Sequence, residues 1–263
     1  MILAFSGRLV FYAIALSFLA SIVAGCALTR APVLPNNSTI DTPDFVHRII
    51  EHGETGSVLH VYIEGDGRPW LSRRMVAADP TPRRAMMLKL MEMDSNQSLY
   101  LGRPCYFQTR DKNCNPLWWT QLRYSKRVVD SMNAALDRHL SVGQQVVLLG
   151  HSGGGALAVL MAETRNDVIA LVTLAGNLDI DAWVKKHDYS ALRGSLNPAN
   201  SRPLNKEIRQ FHFLGARDSN ITREMIEPVV RRQTGAQLTM LEGLDHTCCW
   251  EKEWPNILRK IPR

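Results

Sequence analysis

Ser152, Asp218 and His246 follow one another along the chain in an order and in settings that suit nucleophilic catalysis. Ser152 sits in Gly150-His151-Ser152-Gly153-Gly154, which reads G-x-S-x-G, between the apolar runs "VVLL" and "ALAVLMA". A strand leading into a Gly-rich turn that opens a helix would present the serine hydroxyl clear of its own backbone. The hydroxyl alone is a weak nucleophile. It needs a base within hydrogen-bond reach, and the base needs an orienting carboxylate. Asp218 follows "FHFLG" and His246 follows "LTMLEG", each an apolar stretch broken by glycine. The order Ser, Asp, His is the one expected for such an elbow. In this reading Ser152 attacks an acyl carbonyl. His246 takes its proton and returns it to the leaving group, and Asp218 fixes the imidazole tautomer. The developing oxyanion needs two donors. Gly153, after the nucleophile, supplies one. Asp66 in Glu64-Gly65-Asp66-Gly67 is the second by position, with Gly67 next.

Other residues compete for these roles. His151 is fixed beside the nucleophile at the wrong angle for the base. His212 falls inside a strand candidate, and His139 and His187 fall on helix or insertion segments where solvation is the default. Asp179 and Asp181 are a second place for the acid, and Asp245 is expected to shape the loop of its neighbour His246. Leu117-Trp118-Trp119 and Trp70 suit either an acyl pocket or the core. A phosphate loop does not fit, because no lysine follows the glycines. A dinucleotide fingerprint fails too, because the glycines are bunched. With no CxxC and no HExxH, no zinc site is expected, and the serine mechanism itself requires no metal or organic cofactor.

These residues need a frame. Strand candidates are Ser57–Glu64, Ser98–Leu101, Gln144–Leu149, Val168–Leu174, Gln210–Leu214 and Leu238–Leu241. Helix candidates are Arg83–Met93, Tyr124–His139, Ala156–Thr164, Arg223–Thr234 and Trp250–Lys260. The alternation predicts an α/β fold, and the near-continuous apolar strands predict a mainly parallel, doubly wound sheet with helices on both faces. Phe45–Ile50 reads either as a leading antiparallel strand paired with Ser57–Glu64 or as a short helix. Residues 177–208 lie between two strands, where a lid insertion is expected.

Ahead of this domain, which spans residues 44–263, Leu9–Ala24 is an apolar run of signal-peptide length that ends in Val23-Ala24-Gly25-Cys26. Small residues before a cysteine resemble the bacterial lipobox. That resemblance implies removal of residues 1–25 and acylation of Cys26. A tether over residues 26–43 and a lipid-anchored protein of the bacterial cell envelope then follow. Ala27, in place of Asp, points to the outer membrane facing the periplasm. Export permits disulfides. Cys105 and Cys114 would close a short loop and are the preferred bridge. Cys248 and Cys249 can pair with each other, or one can reach elsewhere. The 263 residues are 45% apolar and 21% charged, with a formal net charge of +6. No run reaches five like charges, so nucleic acid is not an expected partner. The partners expected are a small-molecule or lipid acyl substrate and, through Cys26, a membrane.

The segments "EGDGRPW" (64–70), "GHSGG" (150–154), "GARD" (215–218) and "DHTCCW" (245–250) together resemble the α/β-hydrolase superfamily, more narrowly its bacterial lipoprotein-type members. "NLDIDAWVKKHDYSALRGSLNP" shares that resemblance, which runs from about residue 44 to the end. It implies a serine hydrolase acting on a carboxylic ester or related acyl bond through an acyl-enzyme. The alternatives are a non-catalytic scaffold on the same fold and an acyltransferase using the same residues. Glu64 departs from the pattern, since many lipases carry His before the oxyanion glycine.

Overall fold

The structure, a computed structural model, describes residues 38–109 and 111–263. The expected signal peptide, Cys26 and most of the expected tether lie outside the described residues. The described residues all fall within one compact unit.

Its centre is an eight-stranded sheet. The strands are β1 (Ser38–Asp41), β2 (Val46–His52), β3 (Val58–Ile63), β6 (Ser98–Leu101), β7 (Gln145–His151), β8 (Val168–Leu174), β9 (Arg209–Gly215) and β10 (Gln237–Leu241), in the order β1-β2-β6-β3-β7-β8-β9-β10. From β6 to β10 every neighbouring pair is parallel, while β1 and β2 are antiparallel additions at one edge. Successive strand side chains point to opposite faces. Every residue of β3 is buried, as are all but the first of β7 and β9. Both faces of the sheet are therefore covered there, which is what their unbroken apolar runs require.

Six α-helices are described: α1 (Met86–Met91), α2 (Lys126–His139), α3 (Gly153–Ala162), α4 (Ile180–Lys186), α5 (Arg223–Arg231) and α6 (Trp250–Leu258). In α2, Ser125 caps the start by accepting from the Val128 N–H, and Val128, Met132, Ala135 and Leu136 form the buried stripe. All ten residues of α3 are buried.

The expected elements are present, with three corrections. Of Phe45–Ile50, residues 46–50 lie in the antiparallel strand β2, but its partners are β1 and β6 and not β3. Gly53, at φ +79°, packs against the Asn96 backbone, so the chain passes the start of β6 before entering β3. The last part of the expected tether, Ser38–Asp41, is strand β1, because its backbone pairs with Val46–Ile49. The helix after the serine begins at Gly153 and not at Ala156, since Ser152 itself occupies the cap. A small separate hairpin, β4 (Trp70–Ser72) with β5 (Met75–Val76), stands apart from the main sheet.

Candidate active site

The chain leaves β7 and turns into α3 within one residue. Ser152 makes that turn at φ 51° and ψ −120°, a backbone region that costs a non-glycine residue about 1–3 kcal/mol. The neighbours hold it there. Its N–H donates to the Leu174 carbonyl at the end of β8, and its carbonyl accepts from the Asn177 N–H at 2.9 Å. Gly150 and Gly154 make the turn sterically feasible. A Cβ on Gly150 would strike the Gly154 carbonyl, and one on Gly154 would strike the carbonyls of Ile63 and Glu64.

The loops after β9 and β10 bring the other two residues to the same edge. The Ser152 Oγ–H faces His246 Nε2 at 3.0 Å, and His246 Nδ1 lies 2.8 Å from Asp218 Oδ2. The carboxylate claims the proton on Nδ1, which leaves Nε2 as the acceptor for the serine proton. Asp218 is buried, while Ser152 and His246 are partly exposed. The free oxygen of Asp218, Oδ1, accepts from the N–H groups of Asn220 and Ile221 at 2.8 and 2.9 Å, so the carboxylate is gripped at both oxygens.

The competing residues are placed elsewhere. His151 turns back and donates from Nε2 to the His246 carbonyl at 2.8 Å. Burial and the neighbouring His246 press its pKa down to about 3, so it is a neutral strut. Trp250 Nε1 donates to the same carbonyl at 3.3 Å. His212 bonds to Thr173 Oγ1 inside the core. Asp179 caps α4 through the Ala182 N–H, and Asp181 accepts from Asn197, so neither faces His246. Asp245 accepts from the N–H groups of Thr247 and Cys248, which shapes the histidine loop. His187 is not simply solvated: it pairs with the Asn220 carbonyl and stacks on Tyr189. Two more buried pairs, His47 with Ser131 and His60 with Asp94, are cross-links within the fold. His60 also holds the Pro262 carbonyl, which ties the C-terminal residues to β3.

The loop expected to supply the second oxyanion donor is organised around Asp66. Gly153, at the first helical position, has no intrahelical carbonyl for its N–H. The Asp66 carboxylate lies directly against Gly153. It accepts from Arg103 at 2.5 Å, Arg123 at 2.9 Å and the Tyr124 hydroxyl at 2.6 Å, while the Tyr106 hydroxyl donates to its carbonyl. Burial alone would raise the Asp66 carboxyl. Arg123 and Arg103 outweigh it and hold the group below the usual carboxylate range. Glu64 grips the start of this loop, accepting from the Gly65 and Met87 N–H groups.

Arg103, Arg123 and Tyr124 were not legible in sequence as site residues. Asn220 was not either. Its Nδ2–H donates to His246 Nε2 at 3.0 Å, and its Oδ1 accepts from Trp183 Nε1 at 3.1 Å. The indole N–H thus fixes which end of the Asn220 amide meets the imidazole. Of the aromatics considered for an acyl pocket, Trp119 is buried and bonds to the Ala77 carbonyl. Trp118 packs on Phe45, and Trp70 is exposed. Both cysteine pairs are bridged, Cys105 to Cys114 and Cys248 to Cys249. Among the described residues there is no group of three or more His, Cys, Asp or Glu side chains arranged to hold a metal.

No protein-family model and no curated protein matches the sequence. Solved structures do match. An esterase from Pyrococcus furiosus superposes with a TM-score of 0.61 at 11% identity, over 86% of this chain and 88% of its own. A proline iminopeptidase from Mycobacterium smegmatis gives 0.60 at 11%, over 86% and 95%. An α/β-hydrolase enzyme from the metagenome of Moroccan lagoon sediments gives 0.52 at 20%, over 85% and 96%. At such identities the likeness is one of fold. The parallel sheet, the strained serine between β7 and α3, and the acid and histidine loops after β9 and β10 occur together with it, and this chain has the α/β-hydrolase fold.

Proposed function

We propose that the domain is a serine hydrolase that cleaves carboxylic esters through an acyl-enzyme. What carries the reading is the chain of bonds from Ser152 Oγ to His246 to Asp218 at the C-terminal edge of the sheet. As the Ser152 oxygen bonds to the ester carbonyl carbon, its proton passes to His246 Nε2. Asp218 accepts from Nδ1 throughout and stabilises the imidazolium. The oxyanion meets the N–H of Gly153, at the N-terminus of α3, and the N–H of Asp66. Collapse of the intermediate breaks the bond to the alcohol oxygen, which leaves with the Nε2 proton. Water then gives its proton to His246 and attacks the acyl carbon, releasing the acid and restoring Ser152. Asn220 must release Nε2 during each cycle, since a protonated nitrogen no longer accepts its amide.

Labelling by a fluorophosphonate and turnover of aryl esters test this reading. Wild type is expected to react in both assays and Ser152→Ala in neither, with a fall in kcat of about a thousand-fold or more. Unchanged ester hydrolysis in Ser152→Ala would sink the mechanism. Placement in the cell envelope through an acylated Cys26 is part of the same proposal and rests on residues 23–26.

A further inference from the structure

The β4–β5 hairpin contributes little to the core. Every residue from Trp70 to Met75 is exposed. Trp70, Leu71 and Met75 present 43%, 46% and 57% of their surface to solvent. An isolated two-stranded ribbon is marginal in water, and this one is braced only at its base. There Trp119 Nε1 donates to the Ala77 carbonyl, the Ala77 N–H to the Pro69 carbonyl, and the Arg68 N–H to the Pro80 carbonyl. The tip, Arg73-Arg74, projects from that brace.

Charge is concentrated at the same place. Residues 68–84 contain five arginines (68, 73, 74, 83 and 84) against one acid, Asp79, a net of +4 within a chain whose total is +6. Arg73, Arg74, Arg83 and Arg84 are exposed. Among the described residues, none of the five makes an ion pair with a carboxylate. Gly67 packs against Pro80 and Pro82, which sets Arg83 and Arg84 near the hairpin's base. An exposed indole with two apolar side chains, flanked along the chain by arginines that make no ion pair with a carboxylate, matches one surface in both respects: an apolar interior beneath a layer of negative headgroups.

We propose that the β4–β5 hairpin docks on an anionic phospholipid bilayer, with Trp70, Leu71 and Met75 entering the boundary between headgroups and acyl chains and the arginines meeting lipid phosphates. The contact is separate from any acyl group on Cys26. It would also orient the domain. Trp70 is four residues beyond Asp66, so its Cα lies within about 14 Å of the Asp66 Cα, and docking brings the edge that carries Ser152 toward the lipid.

The test uses the compact unit, residues 34–263, which holds the whole described sheet and core and lacks Cys26. It is sedimented with vesicles of phosphatidylcholine alone and of phosphatidylcholine with phosphatidylglycerol, at low and high salt. Circular dichroism monitors the fold of each variant. Binding is expected to the anionic vesicles and to weaken with salt. Arg73→Gln with Arg74→Gln should weaken it roughly thirty-fold, and Leu71→Ser with Met75→Ser should weaken it as well. Brominated lipid should quench tryptophan fluorescence in wild type and much less in Trp70→Phe. Equal sedimentation with both vesicle types would overturn the proposal. So would folded variants that bind like wild type. Binding without quenching would mean adhesion by charge alone and would overturn insertion. A dimer in solution that Leu71→Ser with Met75→Ser dissociates, with no vesicle binding, would assign the hairpin to self-association instead.

Discussion

Glu64 stands where the chain leaves β3 for the oxyanion loop, and its carboxyl is enclosed by protein. Burial pushes its pKa from 4.5 up to about 7, against the N–H groups of Met87 and Gly65, the Tyr100 hydroxyl and Arg103. Between those values the folded chain holds a proton that the unfolded chain has released. The group's contribution to stability is therefore full below 4.5 and is lost as the pH rises through about 7. The loss amounts to about 3 kcal/mol. Glu64→Gln keeps an acceptor and cannot ionise. Its stability relative to wild type should accordingly rise by about 3 kcal/mol from acid to mildly alkaline pH in urea denaturation. A difference that stays constant with pH would refute the buried, raised carboxyl. The sequence marked Glu64 as a departure from the lipase pattern but could not reveal its enclosure, which depends on α1 and β6 closing over it. The same holds for Arg103, Arg123 and Asn220. Each is an ordinary polar residue in the chain and gains a role from a partner 26 to 57 positions away. Ser152, Asp218 and His246 were legible as candidates because each lies at or a few residues beyond the end of its own strand, so that local pattern alone singles it out.

At the level of elements, the approach of α3 to β3 decides how Ser152 is held. Helix propensity favours Ala over Gly by about 1 kcal/mol. At Gly154 the added methyl would meet two backbone carbonyls, of Ile63 and Glu64, neither of which can move without parting the helix from the strand. Overpacking of that kind costs about 1–3 kcal/mol, so the clash outweighs the propensity. Gly154→Ala is expected to lower the thermal midpoint and to reduce turnover by displacing Ser152. Wild-type stability in this variant would contradict the close approach. The strands were readable from their apolar runs and the direction of the sheet from its alternation with helices. The partner of β2 was not, because periodicity says which face a residue occupies and nothing about which strand lies beside it. The β4–β5 hairpin also went unread. Its pairing is only three residues by two, and Trp70, Leu71 and Met75 have no core to face.

For the whole molecule, three separate signals support the proposed place in the cell envelope. The Cys105–Cys114 bridge closes a nine-residue separation and suits an oxidising environment. The arginine-rich hairpin suits an anionic surface, and residues 23–26 resemble a lipoprotein processing site. Inhibition of the lipoprotein signal peptidase in a producing bacterium should accordingly leave an uncut precursor about 25 residues longer. Cys26→Ser should accumulate the same species without the inhibitor. Normal maturation in both cases would detach the domain from lipid at Cys26. The buried β7–α3 unit carries a different consequence. From His139 to Ala162 the chain contains no Asp, Glu, Lys or Arg, and in the fold nearly all of β7 and α3 is hidden. In a chain still being made, the same residues form an uncharged stretch with a β-branched start, the kind that adheres to other unfinished chains. The segment that raises Ser152 into place is thus also the one that must be kept from its own copies until β3 and β8 close on either side of it.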